Sequence, residues 1–138
     1  MEQKDYILRE IEKISKIISS IWQKLFGSKD NVAIITEQEI NNLNEMLLEE
    51  INFDFEKFLK LNPEASGEYL KKFEGFSIEN IESLAELISQ IGFIDKSEQS
   101  KKYLEKSLQL YELAILKSKT YSFDREMKIK KIKNGLNS

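Results

Sequence analysis

YILREIEKISKIISSIWQKLF, Tyr6 to Phe26, decides the fold class of this 138-residue chain. Ile7, Ile11, Ile14, Ile18, Ile21 and Leu25 recur at alternating steps of four and three, which keeps them on one face of an α-helix and which a strand, with its period of two, cannot produce. Leu8, Ile17, Trp22 and Phe26 widen the stripe, and Gly27 is the expected stop. So broad a stripe suits a globular core. It is also regular enough for a coiled-coil seam of just over three heptads, so the same isoleucines and Leu25 are candidates either for core packing or for the seam of a homodimer.

The rest of the chain agrees with a helical reading. One proline and five glycines punctuate it, and 33% of its residues are charged; a small all-β domain would need more turn residues and regular alternation. The expected architecture is a single all-α domain over 1–138, a bundle of five to six helices. A loop is expected from Gly27 to Ile35, followed by the capping box Thr36-Glu37-Gln38-Glu39 and a helix carrying Ile40, Leu43, Leu47 and Ile51. Asp54 is expected to cap a short helix with Phe58, Leu59 and Leu61, closing an acidic helical segment over 36–61. Asn62-Pro63-Glu64 reads either as a turn or as a helix start, with a short helix around Tyr69, Leu70 and Phe73. Ser77 caps a helix through Ile91, with Gly92 just past its end. A long helix over Ser97–Thr120 should turn Tyr103, Leu104, Leu108, Tyr111, Ala114 and Ile115 inward. Ser122 caps a last helix with a weaker stripe of Phe123, Met127, Ile129 or Lys130, Ile132 and Leu136.

Leu84-Ala85 and Ile88, then Ser107, Tyr111 and Ala114, carry a family likeness. The pattern of large-small and large on one helix, then small, aromatic and small on the next, resembles a tetratricopeptide helical hairpin. It covers one lengthened unit within 77–136, whose link from Gly92 to Ser100 exceeds the tight turn of a standard repeat. The resemblance implies a protein- or peptide-binding groove and a neighbouring helix to cover the unit's open face, a part the N-terminal helix could take. Asp5-Tyr6-Ile7-Leu8-Arg9 is similar to the opening of small uncharacterised bacterial helical proteins, which implies no activity.

Composition narrows the chemistry. The chain has no cysteine and no histidine, which removes thiolate nucleophiles, disulfides and Ser-His-Asp arrangements. No glycine cluster follows a strand-like run, so phosphate loops are not expected. Glu45 and Glu49 share a helix face near Glu50 and Asp54 and could take a hard divalent ion; a solvated acidic face is the expectation, with no metal and no cofactor. The apolar runs fall far below the roughly 20 residues that span a bilayer. Without a secretory leader, a cytoplasmic protein that is not an enzyme is expected.

Charge is unevenly placed. Asp30 to Glu56 holds eight acidic residues and no basic one, whereas Lys117 to Ser138 holds seven basic and two acidic. The two segments are expected to pair, within one chain or between chains. Nucleic acid is not expected as a partner, because residues 1–116 carry 14 basic against 22 acidic side chains, net −8. The functional expectation is an adaptor for a protein or peptide, with Tyr103, Gln109, Tyr111, Lys117, Tyr121 and Arg125 as candidate groove and rim residues. The alternative is a homo-oligomer built on the stripe of the first helix.

Overall fold

Residues 2–27, 34–95 and 97–137 are described by the computed structural model; most of the expected first loop, 28–33, lies outside them. Helix forms wherever the apolar period is helical. The elements are α1 (Glu2–Trp22), whose end widens into a π-turn over Gln23–Gly27, α2 (Glu37–Ile51), α3 (Phe55–Lys60), α4 (Pro63–Leu70), α5 (Ile78–Ile94), α6 (Ser100–Ser118) and α7 (Phe123–Leu136). The described residues thus form seven α-helices, more than the five to six expected. Asn52 enters the left-handed region at φ 59° and ends α2, and the two short helices expected around Phe58 and around Tyr69 both form, as α3 and α4.

Side-chain caps fix most of the helix starts. At α2 the Thr36 hydroxyl accepts from the Glu39 amide at 3.1 Å while the Glu39 carboxylate accepts from the Thr36 amide at 3.0 Å. Asp54, Asn62, Ser77 and Ser122 each accept from the amide three residues on, satisfying a donor the first turn leaves open. Asn62-Pro63 is therefore a helix start.

Gly92 does not end α5, which runs two residues further. Its lack of a side chain serves packing: a Cβ there would lie 2.9 Å from Leu104 Cδ2 and 3.1 Å from Tyr103 Cβ. The close contact seats α6 antiparallel to α5, with the Ser107 hydroxyl donating to the Ala85 carbonyl and the Ser100 hydroxyl to the Gly92 carbonyl, both at 2.6 Å. α7 runs in the direction of α5, with Arg125 opposite Glu82 and Lys128 opposite Glu86 and Gly135 against Phe93. α5, α6 and α7 make an up-down-up triple. On its other side α5 carries α1, tied by the Asn80 amide, which donates to the carbonyls of Ile11 at 2.9 Å and Gly75 at 2.7 Å. α2 packs on α1 and α3.

The stripe of α1 is covered by the chain itself. Ile14, Ile18, Ile21 and Leu25 are buried in the common core, and Ile7 and Ile11 are half-buried. At the centre of the α2–α4 side, Phe53 is fully buried with the rings of Phe58, Tyr69, Phe73 and Phe76 at 5.1–5.6 Å, favourable tilted and edge geometries. Tyr69 Oη accepts from the Asp54 amide at 2.8 Å, so the aromatic cluster also holds the start of α3.

Candidate interaction surface

The inward face of α7 is Arg125, Ile129 and Ile132, with Leu136 half-buried. Phe123 and Met127, expected inside, are exposed at 68% and 51%. The reason is Arg125. Its guanidinium forks onto Glu82, Nε to Oε1 at 3.2 Å and Nη2 to Oε2 at 3.4 Å, while Nη1 donates to the Thr120 carbonyl at 3.1 Å. A bidentate pair with the arginine side chain only 6% exposed fixes the rotation of the helix and sends Phe123, Met127, Lys130 and Asn134, at steps of four, three and four, along the outer face. Lys128 adds contacts to Glu86 and Asp124, both at 3.2 Å; burial pulls its pKa down, but these two carboxylates outweigh it and hold the ammonium above its ordinary value.

Exposed apolar side chains also gather in the chain around the corner between α6 and α7. Ile115, expected inside, is exposed, and so are Leu116 (73%) and Tyr121 (76%). Five of the nine exposed large apolar side chains among the described residues therefore fall between Ile115 and Met127. Such clustering, with exposed Lys117, Lys119, Lys130 and Lys131 around it, is unlike the scattered apolar residues of an ordinary surface.

A second feature lies where α2 crosses the end of α1. A groove of about 400 Å³ has Ile21, Leu25, Leu43 and Met46 in its lining, with Glu45, Glu49 and Glu50 along its α2 wall and Lys24 on the α1 side. The three carboxylates are exposed. Asp54 stands apart from them, accepting from the Lys57 amide at 3.0 Å as the cap of α3. Among the described residues no cluster of acidic side chains is grouped to hold a metal ion, and no ion pair joins α2 to α7. Among the described residues the acidic segment and the basic helix form no ion pair within the chain; α7 takes its charged partners outside its own helix from α5.

Of the residues expected to form a partner groove, Lys117 and Tyr121 are exposed at the α6–α7 corner, while Tyr103, Tyr111 and Arg125 are buried. Gln109 is half-buried and serves Lys106, a residue no sequence signal marked. Lys106 is 2% exposed; its ammonium donates to the Leu61 carbonyl at 2.7 Å, to Gln109 Oε1 at 2.9 Å and to the Ser66 hydroxyl, over the Phe58 ring at 4.8 Å. Burial lowers its pKa to about 8. Three acceptors for three N–H donors make it a tie between α6 and the α3–α4 turn. Burial, and then the nearby carboxylates led by Glu86, push the Tyr111 hydroxyl well above its ordinary range.

No family model, curated protein or solved structure matches the chain. Among the described residues no helix is long and apolar enough to cross a membrane.

Proposed function

We propose that this chain is a non-catalytic protein-interaction module of the cytoplasm that presents the α6–α7 corner and the outer face of α7 to a protein partner. The observation that carries the reading is the cluster of exposed Ile115, Leu116, Tyr121, Phe123 and Met127. Of these, Phe123 and Met127 share the outer face of α7, with Lys130 beyond them, and apolar anchors on a helix face beside lysines are the pattern with which a helix enters a partner's groove. In this reading α5 and α6 are a tetratricopeptide-like hairpin used as a support. Ser107 and Ala85 supply its close crossing, and the protein's own α1 and α7 pack against it, α1 on α5 and α7 on α6.

A photo-crosslinking side chain at Tyr121, carried into extracts of the native host and compared with the same probe at exposed Lys16 on α1, tests the proposal. A protein captured at Tyr121, absent at Lys16 and lost with Phe123→Asp, is the expected result. Equal capture at both positions would overturn it.

A further inference from the structure

The outer face of α7 and the α1–α2 groove complement each other, and the geometry points to a second copy of this chain as the occupant of that groove. We infer head-to-tail self-association, which rests on the reading of the α7 face as an interaction surface and names its partner. The ridge offers Phe123 and Met127 as apolar anchors, both exposed, followed on the same face by Lys130 and Lys131. The groove offers half-buried Met46 over buried Leu25 and Leu43, walled by Glu45, Glu49 and Glu50.

Charge argues for this occupant. The segment that builds the α2 wall has eight acidic residues and no basic one, and the segment that builds the ridge has seven basic and two acidic. Arg125 and Lys128 are engaged by α5, and Lys131 lies over the Phe93 ring at 5.0 Å. No ion pair engages Lys130 or Lys133 among the described residues, nor Glu45, Glu49 or Glu50. Seating α7 of one copy in the groove of the next would bring these charges together without breaking any contact inside either chain. Because ridge and groove are different surfaces, the contact is heterologous, and its repetition gives a ring or an open chain of copies.

Sedimentation velocity of the purified chain over a range of concentrations tests this directly. The weight-average mass should rise above the 16.2 kDa monomer with concentration. Raising salt from about 20 mM to about 0.5 M should weaken association at least tenfold, since exposed charge pairs are screened at short range. Two variants, each checked for unchanged circular dichroism, separate the surfaces: Phe123→Ser with Met127→Ser removes the anchors, and Glu45→Lys with Glu49→Lys reverses the groove wall. Each alone should stay monomeric. Mixed, the intact groove of the first and the intact ridge of the second should form a 1:1 species of twice the monomer mass and nothing larger. If the groove variant loses its helical signal, Glu45→Gln with Glu49→Gln takes its place, with weakening as the expected result. A wild-type chain that is monomeric throughout at low salt, or an association untouched by both variants, overturns the inference. The crosslink at Tyr121 is read separately: a foreign protein captured there beside a monomeric chain keeps the interaction module and removes only the self-association.

Discussion

Lys106 and Tyr111 both carry their burial as a perturbed proton affinity, with opposite consequences for stability. The Lys106 ammonium has a folded pKa of about 8 against 10.5 when solvated. Between these values the unfolded chain holds the proton that the folded chain has released, so stability should rise as pH passes from about 8 toward 10. Urea unfolding at several pH values should show this rise in the wild type and none in Lys106→Met. Tyr111 acts above that window: an unfolded tyrosine ionises near 10.0 while the buried hydroxyl keeps its proton, so stability should fall again above about pH 10. Arg125 is the residue that orients α7. Arg125→Ala strands Glu82, whose side chain is 29% exposed, and should cost about 2 kcal/mol in chemical denaturation, between the values for surface and fully buried pairs. Arg125→Lys should recover only part of it, because an ammonium cannot reproduce the fork and the Thr120 contact together.

At the scale of elements, the glycines show how much of the packing depends on close approach. Alanine is the better helix former by about 1 kcal/mol, yet Gly92→Ala should destabilise by about 1–2 kcal/mol, because the added carbon meets Leu104 and Tyr103 of α6. Gly75→Ala should cost more, since its Cβ would stand 2.4 Å from the Glu10 carbonyl oxygen, and backbone yields less readily than a side chain. Lys119 ends α6 in the left-handed region at φ 57°, where glycine is at ease. Lys119→Gly should therefore raise stability by up to about 1 kcal/mol in a thermal or urea melt. These elements were unequally legible in the sequence. The caps at Thr36, Asp54, Ser77 and Ser122 were readable because a cap is local chemistry, fixed by one side chain and an amide three residues away. The role of Gly92 was not, because the same residue marks either a helix end or a close crossing, and only the neighbour decides which.

For the whole molecule, the amino-acid sequence by itself determined the all-helical class, the buried face of α1 and most helix starts. These follow from a period of 3.6 residues and from capping groups, and neither needs a distant partner to act. Tertiary structure alone decided which way α7 faces. Its apolar residues offer two competing faces, one through Phe123 and Met127 and one through Ile129 and Ile132, and the choice is made by the Arg125–Glu82 fork across 43 residues of chain. That choice buried Arg125 and exposed Phe123 and Met127, while Tyr103 and Tyr111, also named as partner contacts, are internal residues of α6. Among the described residues no ion pair joins the acidic and basic segments within one chain: each helix joins the neighbours that bury its apolar face, and the attraction of exposed charges, screened by water, is too weak to override that burial.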